Sequence, residues 1–180
     1  MHRFWVAPVI LLAACATNVP EAIREPPPDH VPLADALANP DSYSGRHVRW
    51  GGTIAGVENG KAETRVEVVA RELDRDGRPQ PTNRSSGRFI ARVEGFLDPA
   101  AYRKGREVTV AGTVDGSTTR KIGEYNYRYP VVKADTIYLW EPRVEPQRYR
   151  DPYYYDPFWG PWGPWGPFGP FRPYPYYPWR

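Results

Sequence analysis

Cysteine is almost absent. The 180 residues hold one, Cys15, which excludes a disulfide framework and any multi-cysteine zinc site. Histidine is nearly as scarce: three residues, at positions 2, 30 and 47, lie too far apart in the chain to mark a histidine metal cluster. Excess charge is missing too. Lys and Arg number 24 against 21 Asp and Glu, and the resulting +3 gives no support to a nucleic-acid partner. The apolar run Phe4–Ala14 has eleven residues, short of the ~20 that a membrane-spanning helix needs. After Val144 there is no Val, Ile, Leu or Met at all, which argues against a packed core in that part of the chain.

What is present begins with a targeting pattern. Met1-His2-Arg3 is basic, the apolar run follows, and small residues lead into Cys15, so residues 1–14 read as a secretory signal. Leu12-Ala13-Ala14-Cys15 resembles the lipobox of bacterial lipoproteins. That resemblance implies a diacylglycerol thioether on Cys15, cleavage before it and acylation of the new amino group. The competing reading makes Cys15 a small apolar residue of an ordinary signal or of a short buried helix. One acyl chain holds a protein marginally and two or more hold it firmly, at ~0.8 kcal/mol per buried methylene. Ala16 stands where an aspartate favours inner-membrane retention in such lipoproteins, so the expected location is the periplasmic face of the outer membrane.

Residues 15–30 show no apolar periodicity and contain Pro20 and Pro26-Pro27-Pro28, the composition of an extended spacer at ~3 Å per residue. Residues 31–145 form the expected domain. Pro32–Ala38 predicts one or two helical turns stopped by Asn39-Pro40. Beyond Tyr43 the alternation is that of strands: Val48 and Trp50 around Arg49, with a bend or bulge at Gly51-Gly52; Val66, Val68 and Ala70; Phe89, Ala91 and Val93; and Val108, Val110, Gly112 and Val114. Tyr125–Trp140 is a last β-rich stretch in which Pro130 predicts a break or an edge. Asp98–Gly105, with a capping aspartate, Pro99 and a terminal glycine, predicts a short helical turn. Five or six strands with such turns predict an all-β, OB-like, partly closed barrel; a β-sandwich is the main competitor.

Within this stretch Val48-Arg49-Trp50-Gly51-Gly52-Thr53-Ile54, Gly87-Arg88-Phe89, Gly95-Phe96-Leu97-Asp98-Pro99, Val108-Thr109-Val110-Ala111-Gly112, Ile122-Gly123-Glu124, Tyr129-Pro130-Val131 and Leu139-Trp140 occur in order. Together they resemble the Slp family, starvation-inducible outer-membrane lipoproteins of Gram-negative bacteria. The resemblance covers about Val31 to Glu141 and implies a part in envelope stability under starvation or stationary-phase stress. It supplies no catalytic residue and no cofactor, and the tail falls outside it.

The residues themselves give little sign of catalysis. Asp74-Arg75-Asp76-Gly77 echoes the start of a calcium loop, but Ser85 stands where the closing glutamate belongs, so a polar turn is the better reading. Ser85-Ser86-Gly87 lacks the glycine of a nucleophile elbow. Glu67, Glu94, Asp98 and Glu124 each fit a solvated strand face or a cap better than an acid/base pair. Lys61, Arg65, Arg71 and Arg75 offer either a lipopolysaccharide-phosphate patch or an edge protected against pairing. Trp50 either fills the barrel or, with Tyr125, Tyr127 and Tyr129, lines a face for glycan, lipid or peptide.

In the tail, residues 146–180, aromatics recur every third position from Gly160-Pro161-Trp162 through Gly163-Pro164-Trp165 to Gly169-Pro170-Phe171. A polyproline helix has three residues per turn and would set these rings in one row. Trp162 and Trp165 are candidate contacts with lipid headgroups, peptidoglycan or an envelope protein. An extension without a specific ligand is the alternative. A concave aromatic pocket would mark a binding module, whereas buried or scattered rings would mark a structural domain.

Overall fold

The computed structural model describes residues 18–144, 158, 162–165, 168 and 170. Cys15 and the signal lie outside them. Two compact units divide the chain, Met1–Pro142 and Arg143–Arg180.

In the first unit five strands close into a barrel in the order β1-β2-β3-β5-β4: β1 His47–Asn59, β2 Glu63–Arg71, β3 Arg88–Glu94, β4 Glu107–Ile122 and β5 Tyr125–Leu139. All pairings are antiparallel except β3 with β5, a parallel seam of three residue pairs. The barrel is therefore OB-like as expected, and fully rather than partly closed. Period-2 alternation places Val48, Trp50, Ile54, Val66, Val68, Ala70, Phe89, Ala91, Val108, Val110, Val114 and Val132 inside. Small and β-branched residues fill a narrow interior around two rings, Trp50 and Phe89, which meet edge to face at 5.5 Å. Helix α2, Leu33–Ala38, caps one end with Leu33 and Ala36.

Several local expectations are corrected. Gly51-Gly52 is not the bulge; the irregularity falls between Ile54 and Gly56. The pair runs through a stretch bonded on both sides, where a Cβ on Gly52 would lie 2.0 Å from the Val69 carbonyl oxygen. Pro130 does not break β5. It faces Ser117 just past an irregularity in β4, beside Val131, where pairing with β3 begins. Residues 98–105 hold the expected single turn, in which Asp98 O accepts the Tyr102 N–H at 2.9 Å, and do not go on into a helix. Asp98 Oδ1 does cap Ala100 N–H at 2.8 Å, but Gly105 N–H donates to Ile54 O at 2.9 Å, so β1 takes the donor that a helix would need.

The spacer reading also fails at one point. Glu21–Arg24 forms a helical turn, α1, and Ile23 is fully buried. Four residues carry too little periodicity to be seen in the sequence, and only a tertiary contact orders them.

In the second unit Trp162 and Phe168 stack with centroids 5.0 Å apart and an interplanar angle of 27°. Six residues of polyproline helix would separate them by about 19 Å. Trp165 N–H donates to Phe158 O at 3.4 Å, and Trp162 and Phe168 are not set in the extended row expected of them.

Candidate functional site

An ion pair ties the β1–β2 and β4–β5 hairpins near their tips. Arg120 donates both terminal nitrogens to Glu58, at 2.8 and 2.9 Å. On the outer face of β2, β3 and β5, Glu67 accepts from Arg88 at 2.6 Å and from the Tyr129 hydroxyl at 2.9 Å. The Glu67 carboxylate raises the Arg88 pKa above its usual range, chiefly through that hydrogen bond. Burial first, then the bond to Glu67, pushes the Tyr129 phenol up to about 12.

The tyrosine candidates therefore part company. Tyr129 is buried; Tyr127 packs edge to face on it at 4.8 Å and accepts the Arg88 N–H at 3.0 Å; Tyr125 stands 70 % exposed and apart. Trp50 is buried in the core and donates its indole N–H to Val31 O at 2.8 Å. These rings do not converge on one concave surface. Trp162 and Trp165 of the second unit are 79 % and 52 % exposed.

The remaining candidates separate as well. Asp74 Oδ1 accepts the backbone N–H groups of Asp76 and Arg78, a polar turn as expected. Ser85 Oγ is engaged with the Gly87 backbone. Glu94, Asp98 and Glu124 are exposed at separate places. Arg65 pairs with Glu63 at 3.0 Å, and Arg92, directly opposite Arg65, pairs with Glu63 and Asp115, so the charge of Arg65 is neutralised within the chain. Among the described residues no three His, Cys, Asp or Glu gather as metal ligands, and no helix is long and apolar enough to cross a membrane.

At the barrel end beside α2 lies a cleft of about 410 Å³ that the sequence did not reveal. Its polar lining includes His30, Arg49, Arg71, Glu72, Gln80 and Ser86. Arg49 projects from β1 beneath α1, only 9 % exposed, and its Nη1 donates to Ile23 O at 2.9 Å and also to Arg24 O. These are carbonyls at the C-terminal end of α1, where a cation is favoured. Gly77, at φ +83°, passes so close that a Cβ there would lie 2.0 Å from Ile23 O. Burial lowers the Arg49 pKa, with Asp74 opposing from farther off; burial and then the Arg49 charge lower that of His30. Nothing in the alternation of Val48-Arg49-Trp50 distinguishes this arginine from an ordinary solvent-facing strand residue, so no sequence signal was available for it.

A sheet closed on itself, an interior filled by side chains and two crossed hairpins define a small OB-like barrel module. The family model described as the outer membrane lipoprotein Slp family matches residues 12–177, and the chain belongs to that family. The match takes in the tail and the Cys15 region, so it extends past both limits read from the short motifs. The chain is 34 % identical over 150 residues to the uncharacterized lipoprotein YeaY of Escherichia coli (strain K12), covering 81 % of this chain and 77 % of that protein. To the outer membrane protein Slp of the same organism it is 36 % identical over 135 residues, covering 74 % and 71 %. A small single-stranded DNA-binding protein from Streptomyces coelicolor matches with TM-score 0.33 and 16 % identity, covering 53 % of this chain and 94 % of that one. A likeness that slight carries no argument.

Proposed function

We propose that this outer-membrane lipoprotein is anchored by acyl chains at Cys15 on the periplasmic face and serves envelope maintenance without catalysis, under starvation or stationary-phase stress. The observation that carries the structural part of this reading is the fate of the rings. Trp50 and Tyr129 are buried, Tyr127 is hydrogen-bonded, and the hairpins above them are clamped by Glu58 and Arg120. A face built to receive a ligand would leave such groups open. In a strain lacking the protein, raised sensitivity to detergent in stationary phase, restored by the native chain and not by Cys15→Ser, is the expected result. Restoration by a Cys15→Ser form that fractionates as soluble would refute the anchor, and unchanged sensitivity would refute the maintenance role.

A second reading, a binding module for glycan, lipid or peptide, is favoured by the exposed Trp162 and Trp165. Its partners would be peptidoglycan, lipopolysaccharide or an envelope protein. Deleting 147–180 should then reduce co-sedimentation with liposomes or peptidoglycan, and undiminished binding would retire it.

A further inference from the structure

Buried charge is ordinarily matched by opposite charge or by a full set of hydrogen bonds, because removing an ion from water costs several kcal/mol even after the protein relaxes. Among the described residues Arg78, Arg88 and Arg92 make carboxylate contacts at 2.7, 2.6 and 2.8 Å, while Arg106, whose Nε is likewise buried without a partner, has both terminal nitrogens bonded to the Ala101 and Trp140 carbonyls. Arg49, more deeply buried than ordinary surface arginines, has no carboxylate within ion-pair distance. Among the described residues only its Nη1 finds a partner. Nε is buried with no partner, and Nη2 has no hydrogen bond among the described residues. In a guanidinium those two nitrogens lie on one side, and that side is the fork that grips a carboxylate or phosphate with two parallel bonds.

Arg71 lines the same cleft and is also without a carboxylate partner. Its Nε donates to Thr53 Oγ1 at 3.2 Å, which holds the side chain across β1 opposite Gly51. Ser86 adds a hydroxyl and His30 an imidazole; Glu72 is the one acid in the lining. Pro32, Leu33 and Leu73 add apolar lining. The groove near Lys133 has about 670 Å³, yet its Arg92 is already neutralised by Glu63 and Asp115.

We infer that the cleft is a binding site for an oxyanion, carboxylate or phosphate, held by the Arg49 guanidinium, whose Nη2 has no hydrogen bond among the described residues, and by Arg71, with the apolar lining receiving whatever the anion is attached to. A free phosphate and the phosphate of a lipid headgroup share this chemistry.

The test uses the full acylated chain in non-ionic detergent, titrated calorimetrically with inorganic phosphate and with monomeric short-chain phosphatidylglycerol, against chloride at matched ionic strength. Arg49→Lys keeps the charge and loses the fork, and should weaken binding at least ~10-fold. Arg71→Gln should weaken it about 5-fold and Glu72→Gln should tighten it about 3-fold, since each changes one charge facing the anion. Should Arg49→Lys fail to fold, because Arg49 also holds α1, the opposite signs at Arg71 and Glu72 decide alone. Equal affinity for the two probes assigns a free anion; lipid bound ~10-fold tighter assigns a headgroup that uses the apolar lining. Binding of neither probe above the chloride control, or binding indifferent to Arg71 and Glu72, overturns the proposal.

Discussion

The barrel carries two outer patches rich in arginine, and they are built on opposite terms. On the β2-β3-β5 face Arg88 meets Glu67, with Tyr129 sharing the same carboxylate, and between β4 and β1 Arg120 meets Glu58. In the cleft beside α2, Arg49 and Arg71 meet backbone carbonyls and a threonine hydroxyl but no carboxylate. The first patch is satisfied from within the chain and holds the hairpins on the barrel. The second is incomplete by the same electrostatic accounting. Both arise from side chains that point outward on neighbouring strands, so polarity alone does not separate a structural surface from a receptive one; the partners do.

The largest expected effect tests what the two patches share. Trp50 is a core ring that also lines the cleft, and Trp50→Ala should cost about 3–5 kcal/mol of stability, from cavity formation and the lost bond to Val31. A denaturation midpoint close to that of the native chain would mean the cleft end folds independently of the core. Next, Glu67→Ala strips Arg88 and Tyr129 of their acceptor in a partly buried setting, for which about 2 kcal/mol is expected in urea unfolding. No measurable loss would erase the distinction between the patches.

Tyr129→Phe removes one hydrogen bond and should cost about 1 kcal/mol near neutral pH. It has a sharper signature in alkali. The folded state holds the Tyr129 phenol up to about 12 against an ordinary 10, so the folded chain keeps a proton that the unfolded chain releases. The stability this contributes is complete below pH 10 and falls away as the pH rises towards 12, and Tyr129→Phe should flatten that decline. An identical alkaline slope in both proteins would contradict the buried phenol.

Arg120→Gln should change stability least, by about 0.5 kcal/mol or less, since Glu58 is well exposed and surface pairs contribute little. Its effect belongs instead to the hairpin tips, where backbone amide exchange should quicken near Glu58 and Arg120. Unaltered exchange there would show that the ion pair does not hold them.

Much of the barrel could be read before any coordinates. Val66-Val68-Ala70 and Val108-Val110-Val114 alternate with polar residues, and period-2 alternation has one geometric solution when one face must be dry. Asp74 and Asp98 announced their turns, because an aspartate accepting amides two to four residues ahead is a local event. Ile23 was not legible in its Pro-rich surroundings, nor was the role of Arg49, since each is defined by the other from 26 residues away. The tyrosines misled for a similar reason: 125, 127 and 129 sit on one face of a strand, but Glu67 and Arg88, distant in sequence, draw two of them into a hydrogen-bonded cluster and leave the third outside.

By itself, then, the order of residues determined which side of each strand faces inward and where the sharp turns fall, because these follow from spacings of two to five residues. Tertiary structure alone decided that the sheet closes, that α1 docks, and that Arg49 stands buried beneath α1 with no carboxylate partner among the described residues. Those depend on which distant carbonyls and carboxylates reach a charge once the strands have curled around one another, and no short spacing encodes that.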